Sequence, residues 1–583
     1  MGEFVLIDPL GVSHSYNASK VGFAPVSGSD KVIFAEGGSG GENYFGSYLR
    51  HELTEYEDST VTRLFTSAIV SQPNLKSLSF PNLLRIDHYG ITGVSALTDV
   101  YFPELRYVSE GGLQVSLSSG TVFPKCSYVG SSAIGGGFSS NGIRYVGDIA
   151  YKATGNWSSS VCQLLPSTRV IGGYCFYSKS IREIQGVESV QDINDGAFFS
   201  VKLLSEASFP NCKRVWNFGF ESGAFEGCES LRSAYFPECS QIGKYAFAGC
   251  TSLKSAYFPK CTSIESYAFN GCKSLSDATF SSHLTNVGDY AFAGCYALPS
   301  ADGVYYAGDW AVLRSTVVPS TVALREGTYG IVYALFSGAS SLVSITNMDN
   351  VSVIPGQAFR GTKLQGISAP ACESVEYAAF SYASVMSFAY LPKVKYIPDK
   401  TFYNCYALTS LTVDFSNITS VGGFAFCGCS SLSIPFSLPQ CSVISNAGFQ
   451  ECGLTKIYAP LCSTYVDGTY NGCFNLSEAY LPNVPKLSWA AFAYCYSLRR
   501  IYLSACSYIS SNAFSNTTSM SSLYLAGSSV CRIYISISAY WPKSVYVLTS
   551  MYDEYVTHSL WASMSSRLVS LTTEQMEEIA ATF

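Results

Sequence analysis

Charged side chains are scarce in this chain, and no part of it is strongly basic. Lys, Arg, Asp and Glu make up 13% of the 583 residues, and the formal net charge is -7. No run of Lys or Arg is long enough to follow a phosphate backbone, which is what most nucleic-acid-binding proteins need. We therefore expect no nucleic acid among the partners of the chain.

Long apolar runs are missing as well. No uninterrupted apolar stretch reaches the roughly 18 residues that a membrane-spanning helix needs. Residues 1–8, MGEFVLID, lack both the basic region and the apolar region of a secretory signal peptide. From the sequence we expect no membrane insertion and no export signal.

Residues that commonly carry catalysis are few and scattered. The five histidines do not recur beside a nucleophile or a pair of carboxylates at a meaningful spacing. His51 and Glu52 lack the second histidine of a metalloprotease helix, and residues 37–41 lack the Lys-Ser/Thr ending of a phosphate-binding loop. We predict that the chain is not an enzyme and binds neither a metal nor a cofactor.

A repeat is present in place of these motifs. The pattern Ala-Phe-x-Gly-Cys occurs at residues 224–228, 246–250, 268–272 and 291–295, so its cysteines are 22, 22 and 23 residues apart. Between these copies, Phe-Pro-x-Cys occurs at 236–239 and 258–261, and looser forms extend from Phe80-Pro81 to Leu481-Pro482. Repeats with this period indicate a solenoid.

One repeat predicts two short strands and a turn. Ala256 and Phe258 alternate with polar or aromatic neighbours, which is typical of a half-buried strand, and Pro259 ends that strand because it cannot donate to a ladder. Gly271 permits a turn. A single repeat buries too little apolar surface to fold alone, so neighbouring repeats must stack and pair their strands.

The combined pattern Leu-x-x-Ala-x-Phe-Pro, Ile-x-x-x-Ala-Phe and Gly-Cys resembles the BspA-type leucine-rich repeat. This family is found in bacterial surface proteins and in phage or prophage structural proteins, and the resemblance covers about four fifths of the chain. It implies a β-rich repeat solenoid with short parallel strands, about 20 repeats of 22–23 residues and little helix.

Three regions are expected along the chain. Residues 1–57 are predicted to attach or cap, and residues 58–544 to form the solenoid. The motif at 142–150 recurs at 303–311, an offset of 161 residues, which predicts hairpin interruptions near 141–163 and 302–323. The duplicated Asp148 and Asp309 fall inside this motif, so turn formation explains them more simply than the clustered acids of a sugar-cleaving enzyme.

Residues 545–583 are predicted to form a C-terminal cap. Tyr555, Trp561 and Arg567 keep the six-residue spacings of the closing segment of the family, although Leu548 stands where Pro is usual. Thr572 and Gln575 form a capping box that opens a short helix. This helix has two interpretations, a lid on the last repeat or a segment that associates with other chains.

The 21 cysteines are predicted to be structural. Seventeen of them occupy two repeat slots, and a slot filled in register along a solenoid is an inward-facing column of small side chains. Parallel side chains on neighbouring strands fit the geometry of a disulfide poorly. The pair Cys427 and Cys429 has no histidines placed to complete a zinc site.

Outward tyrosines are the candidate contact residues. They stand between the two inward residues of the first strand, so they must point away from the core. Repeated rings on one face suit protein recognition or stacking on sugars, whereas the alternative interpretation is cross-strand stabilisation alone. The candidate ligand-binding residues are Tyr458, Tyr480, Tyr502, Tyr524, Tyr546, Tyr235 and Tyr257. A second column, Tyr245, Tyr267 and Tyr290, is predicted to serve packing.

These patterns predict a non-enzymatic recognition protein. The first hypothesis is a host-receptor-binding protein of a phage or prophage tail, because virion proteins need no export signal. The alternative is a bacterial cell-surface adhesin of the BspA type that binds host or matrix proteins. The expected partners are a host cell-surface protein or glycan, with other virion or cell-surface proteins at the N-terminal segment. Association of identical chains is left open.

Overall fold

The computed structural model contains two compact units, Met1–Pro299 and Ser300–Phe583. It describes residues 55–57, 59, 61–70, 72–118, 120–155, 160–216, 222–281, 284–464, 467–510, 512–533 and 541–583, and the backbone of two further strands. Those strands, Glu3–Ile7 and Ser13–Asn17, pair antiparallel. The rest of the predicted attachment segment before Glu55 lies outside the described residues.

Each turn of the solenoid has three sides, which the turn around residues 253–272 illustrates. The first side is the strand Ser255–Phe258 and the second is the shorter strand Ser263–Ile264. On the third side, backbone hydrogen bonds join successive turns, such as the 2.7 Å bond from Phe269 N to Ala291 O. The predicted solenoid of short parallel strands is confirmed.

The first strands stack in parallel. Equivalent positions of successive repeats pair with each other, as Ala234 does with Ala256 and Tyr235 with Tyr257. In the unit Met1–Pro299 they are Glu55–Glu57, Ser77–Ser79, Asp99–Tyr101, Val161–Gln163, Glu183–Gln185, Glu206–Ser208, Ser233–Tyr235, Ser255–Phe258 and Asp277–Phe280. In the unit Ser300–Phe583 they are Thr321–Ala323, Ser344–Thr346, Gly366–Ser368, Phe388–Tyr390, Ser410–Thr412, Pro435–Ser437, Lys456–Tyr458, Glu478–Tyr480, Arg500–Leu503, Ser522–Leu525, Ser544–Leu548 and Leu568–Leu571.

The second strands form their own parallel stacks. In the first unit they are Arg63–Leu64, Arg85–Ile86, Tyr107–Val108, Tyr128–Val129, Val170–Ile171, Asp192–Ile193, Arg214–Val215, Gln241–Ile242, Ser263–Ile264 and Asn286–Val287. In the second they are Gly330–Ile331, Val353–Ile354, Ser374–Val375, Tyr396–Ile397, Ser420–Val421, Val443–Ile444, Lys486–Leu487, Tyr508–Ile509 and Arg532–Ile533. On the third side, Ile69–Val70 pairs with Ile91–Thr92.

Two antiparallel hairpins interrupt this order at the duplicated motif. In one, Ile143–Val146 pairs with Ile149–Ala153, after the short strand Phe138–Ser140. In the other, Val304–Ala307 pairs with Trp310–Arg314, after Ser300–Ala301.

The two hairpins share their anchoring contacts. Asp148 forms an ion pair with Arg169 at 2.7 Å, and Asp309 forms one with Arg325 at 3.4 Å. The hydroxyl of Tyr306 also accepts a hydrogen bond from the backbone of Arg325 at 2.9 Å. The duplicated aspartates therefore hold each hairpin against the following turn.

Phenylalanine ladders fill the core. On the third side, the rings of Phe225, Phe247, Phe269 and Phe292 stack with centroids 5.1 to 5.2 Å apart. Phe258, from the first strand, meets the Phe247 ring edge-on at 5.7 Å. Alternating parallel and perpendicular rings bury large apolar area while keeping favourable quadrupole contacts.

The cysteine columns line the same core, and the prediction that they face inward is confirmed. All 21 cysteines are buried and free. In one slot the thiol donates to the preceding turn, as from Cys250 Sγ to Phe225 O at 3.2 Å. In the other slot it donates two residues ahead, as from Cys261 Sγ to Ser263 O at 3.2 Å. In both slots cysteine is small enough to fit the core, and its thiol serves as a weak hydrogen-bond donor to a backbone carbonyl.

Helix is confined to short segments among the described residues. The 3₁₀ segments are Phe415–Asn417, Thr549–Met551 and Ala562–Arg567, and the α-helices are Tyr552–Thr557 and Thr573–Ala580. The closing segment covers the end of the last turn, because Trp561 Nε1 donates to Cys531 O at 2.7 Å and the Tyr555 hydroxyl accepts from Cys531 N at 2.9 Å.

Candidate binding surface

The strand-lined face of the first unit carries an open pair of tyrosines. Tyr235 and Tyr257 lie on neighbouring parallel strands, with ring centroids 5.2 Å apart and planes within 6° of parallel. Their side chains are 44% and 40% exposed, because the inward positions of these strands belong to the buried Ala234 and Ala256. This pair offers a rigid aromatic surface to a partner.

A concavity of about 900 Å³ lies on the same strand-lined face of the first unit. It is mostly polar, and the carboxylates of Glu183 and Glu206 belong to its lining. Ser208 of its lining pairs in register with Tyr235, so the concavity lies beside the strand that carries the first tyrosine of the pair. The lining residues are Gln163, Pro166, Arg182, Glu183, Ile184, Gln185, Gly186, Val187, Glu188, Ser205, Glu206, Ser208 and Pro210.

The second unit contains the long tyrosine column. Successive centroids lie 5.1, 5.1, 6.3 and 4.7 Å apart, which makes the five rings a continuous stack. The members in order are Tyr458, Tyr480, Tyr502, Tyr524 and Tyr546. Tyr502 and Tyr524, however, are only 6% and 9% exposed. The middle of the column is covered.

The helix Thr573–Ala580 and the residues after it provide this cover. Met576, at 1% exposure, packs with Tyr502 and Tyr524 in one apolar cluster. The Phe583 ring meets Tyr502 and Tyr524 at centroid distances of 6.0 and 6.2 Å. We call residues 572–583 the covering segment. It lies on the tyrosines of the strand-lined face, whereas the sequence alone left open a lid on the last repeat or contact with other chains.

Local sequence explains why the covering segment forms a helix there. Thr572 Oγ1 accepts from Gln575 N at 3.2 Å, and Gln575 Oε1 accepts from Thr572 N at 3.0 Å, so the capping box is formed. Strand Leu568–Leu571 pairs in parallel with Ser544–Leu548 just before it. This last strand sets the point from which the helix turns back over the column.

A charged row runs beside the covered tyrosines. Glu478 contacts Lys456 Nζ at 2.7 Å and Arg500 Nε at 3.1 Å. Partial burial alone raises the pKa of the Glu478 carboxyl, but the bonds from Lys456 and Arg500 outweigh it and hold the pKa below its usual value. This row therefore carries two cations against one carboxylate, and its charged groups are engaged with one another.

The second tyrosine column lies on the third side of the first unit. Tyr245, Tyr267 and Tyr290 stack at 5.0 and 5.2 Å, and all three have positive φ, between 56° and 61°. Tyr290 is 55% exposed, so the column packs against itself on the surface. This position of the repeat, where the backbone has the left-handed conformation, therefore accommodates large side chains.

A pocket that the sequence did not predict lies at the same slot in the second unit. It has a volume of about 460 Å³ and is lined by Gln357, Arg360, Tyr377, Ala378, Ser381, Tyr382, Lys400, Tyr403 and Phe424. We call it the third-side pocket. An alignment of the repeats indicates this pocket, because the small Ala378 occupies the position that holds the longer Gln357 and Lys400 in the neighbouring turns.

The described residues contain neither a cluster of metal ligands nor a membrane-spanning helix. Within the described ranges, no group of three or more His, Cys, Asp or Glu side chains is placed to hold a metal ion. Among the helices described, none combines the length and the apolar character needed to cross a membrane.

The BspA type leucine rich repeat region model matches the chain in six copies, over residues 169–299, 330–455 and 395–521. These ranges include more than half of the chain. The chain belongs to the BspA-type leucine-rich-repeat family. A comparison with curated protein sequences found no match.

Several solved structures match the chain at low sequence identity. A leucine-rich cell surface protein from Faecalibacterium prausnitzii is 20% identical, with 67% of this chain and 95% of that one covered and a TM-score of 0.23. A leucine-rich repeat protein from Bacteroides ovatus is 16% identical over 87% and 94%, with a TM-score of 0.22. One from Eubacterium ventriosum is 14% identical over 67% and 95%, with a TM-score of 0.25.

Family membership fixes the general role. A leucine-rich-repeat solenoid is typically a non-catalytic binding scaffold, because stacked turns present an extended surface of outward side chains. The chain is a repeat protein of this type. Its general function is recognition or adhesion, mainly of other proteins.

Proposed function

We propose that the chain attaches to a protein on the surface of a target cell through the strand-lined face of its first unit. The contact is centred on Tyr235 and Tyr257. The observation that carries this proposal is their exposed, stacked arrangement on a face that also holds a concavity of about 900 Å³.

The physical character of this face supports a protein partner. Stacked rings are already ordered, so binding costs little side-chain entropy, and tyrosine is enriched among residues that dominate binding energy. Glu183 and Glu206 supply negative charge at the rim, which favours a partner with Lys or Arg at the matching position. An aromatic centre with a polar surround is the usual anatomy of a protein interface.

Two biological settings fit this role, a phage or prophage tail and a bacterial cell surface. In both, the strand-lined face contacts a target cell, and in the first the N-terminal segment joins other virion proteins. Membership in the BspA-type family is compatible with both settings. Mass spectrometry of purified virions and protease shaving of intact bacteria distinguish the settings, because only the true location yields peptides of this chain.

The binding face is tested with a matched pair of double variants. Fluorescently labelled full-length chain is titrated onto panels of bacterial and animal cells and bound label is measured by flow cytometry. Tyr235→Ala with Tyr257→Ala is expected to weaken attachment by at least about tenfold, the loss of about 1.4 kcal/mol typical of an interface hot spot. Tyr245→Ala with Tyr267→Ala removes an equally stacked pair from the third side and should leave attachment unchanged.

The control also defines failure. Equal attachment of the wild type and the strand-face variant, or equal losses from both double variants, contradicts this assignment of the face. Matching thermal unfolding midpoints for the two variants ensure that the comparison concerns binding.

A further inference from the structure

The third-side pocket lies where a small residue stands between two longer ones in the third-side column. Gln357, Ala378, Lys400 and Phe424 occupy one slot in four successive turns, with φ between 55° and 58°. In the first unit the same slot holds Tyr245, Tyr267 and Tyr290, whose rings close on one another. The methyl group of Ala378 leaves the space between its neighbours empty.

A second small residue deepens the gap. Ser381 follows in the slot that holds Arg360 in the preceding turn and Tyr403 in the next one. Ala378 and Ser381 are 3% and 2% exposed, so they form the floor of the pocket.

Aromatic rings form the walls. The Tyr382 and Tyr403 rings are perpendicular, at 89°, with centroids 5.3 Å apart, and Tyr403 meets Phe424 at 6.2 Å and 87°. Tyr377 and Tyr382 remain exposed. Aromatic faces around a pocket of about 460 Å³ suit the apolar C–H face of a sugar ring, since ligand pockets commonly have about 300 to 1,000 Å³.

Two cations stand at this pocket without a carboxylate partner. Arg360 Cζ lies 5.4 Å from the centre of the Tyr382 ring, and Lys400 Nζ lies 5.9 Å from that of Tyr377. Neither forms an ion pair with any residue that the structure describes. Their charge is therefore available to a ligand.

The acidic residues closest in sequence are engaged elsewhere. Asp399 Oδ1 accepts a hydrogen bond from Gly423 N at 2.7 Å. Glu376 Oε2 accepts one from Gly356 N at 2.9 Å. Both carboxylates thus satisfy backbone amides of neighbouring turns, and neither belongs to the lining of the pocket.

We propose that the third-side pocket binds a carboxylated sugar residue of an acidic glycan. The aromatic walls contact the sugar ring, and Arg360 and Lys400 contact its carboxylate. Their turns are two repeats apart, roughly 10 Å at a strand spacing of about 4.8 Å. Both charged ends nevertheless reach the turn between them, Arg360 over the Tyr382 ring and Lys400 over that of Tyr377. Because these rings line the pocket, an anion carried on a sugar ring fits it better than a free phosphate. This ligand class is distinct from the protein partner of the strand-lined face.

Calorimetric titration of the full chain tests the proposal with three probes. The first is an oligosaccharide of alternating glucuronate and N-acetylglucosamine. The second is a neutral chito-oligosaccharide of equal length, and the third is an oligoglutamate peptide. Only the first is expected to bind, and its affinity should fall as salt is added, because the cations are exposed.

Variants locate the site. Ala378→Tyr fills the gap with the residue that the first unit accepts at the same φ, and it should abolish binding. Lys400→Gln should weaken binding by about tenfold, because one charge-assisted hydrogen bond to the ligand is replaced by a neutral one. Gln357 shows that this side chain fits the slot. Lys244→Gln, on the third side of the first unit, is the matched control and should change nothing.

Three results would overturn the proposal: full binding by Ala378→Tyr, equal binding of the neutral oligosaccharide, or binding of the peptide alone. Circular dichroism checks that Ala378→Tyr folds. If it does not, the double variant Arg360→Gln with Lys400→Gln decides, since retained binding there also contradicts the proposal. None of these results bears on Tyr235 and Tyr257, so the two proposals fail separately.

Discussion

The guanidinium carbon of Arg500 lies 4.1 Å from the centre of the Phe583 ring. Its terminal nitrogens also donate to the side chain and backbone oxygens of Thr582, at 2.7 and 2.8 Å. These contacts join residues 82 or more positions apart and hold the covering segment on the strand-lined face. As a consequence, Tyr502 and Tyr524 belong to an internal cluster, while Tyr235 and Tyr257 remain open.

Met576→Ala is expected to loosen the covering segment. Replacing a buried Met by Ala commonly costs about 2 to 5 kcal/mol, and here the loss falls on the docking of one helix. Tyr502 and Tyr524 should then become reactive toward tetranitromethane, as followed by peptide mass spectrometry. Glu578→Ala, on the exposed side of the same helix, is the control. Unchanged nitration in Met576→Ala would show that other contacts suffice to hold the segment.

Asn194→Ala is expected to destabilise the first unit at its hairpin. Asn194 is buried, accepts from Val129 N at 2.8 Å and donates to Ser127 O at 3.1 Å. Removing the amide leaves both backbone groups unpaired, at a cost of about 1 to 3 kcal/mol each. Urea unfolding and hydrogen exchange at Val129 measure the effect. Asn211→Ala removes an exposed bond and should cost much less; equal losses would argue against the burial explanation.

Alkaline pH is expected to weaken the fold through the cysteines. Burial raises the pKa of thiols such as Cys126 and Cys239 to about 12. The folded pKa lies above the unfolded value of about 8.5, so this stabilisation is complete below about pH 8.5 and is lost as pH rises toward the folded value. Between the unfolded and the folded pKa, each such thiol lowers the free energy of unfolding by about 1.4 kcal/mol per pH unit.

Thermal unfolding at a series of pH values measures this effect. The midpoint should be nearly constant below about pH 8 and fall steeply above it. Cys239→Ala removes one titrating thiol from the core and should make the fall shallower. If the midpoint of that variant falls with pH as steeply as that of the wild type, the alkaline loss of stability comes from other groups, such as the tyrosines.

The repeat was readable from the sequence because its signals are local. Ala256 and Phe258 fix which side of a strand is buried, and the 22-residue step repeats that choice in every turn. The outward direction of Tyr235 followed from the same alternation. The burial of Tyr502 did not, because it depends on Met576 and Phe583, whose helix returns across several turns.

The third-side pocket was hidden for a different reason. A cavity is made by a missing side chain, and Ala378 by itself is an unremarkable residue. It becomes informative only beside Lys400 and Gln357, once the turns are aligned and their shared left-handed conformation is known. The charges gave no indication of the pocket either, because Asp399 directly precedes Lys400 and would be expected to pair with it. The sequence does not show that the Asp399 carboxylate instead accepts a hydrogen bond from the backbone.

The buried thiols also make the order of unfolding measurable along the chain. Each reacts with an alkylating reagent only while its own turn is open, and peptide mapping identifies which one has reacted. Brief pulses of reagent during denaturation would therefore time the opening of individual turns without any added label. Fraying from an end and opening beside a hairpin would label the cysteine peptides in different orders. The order of labelling would therefore show where unfolding of the array begins.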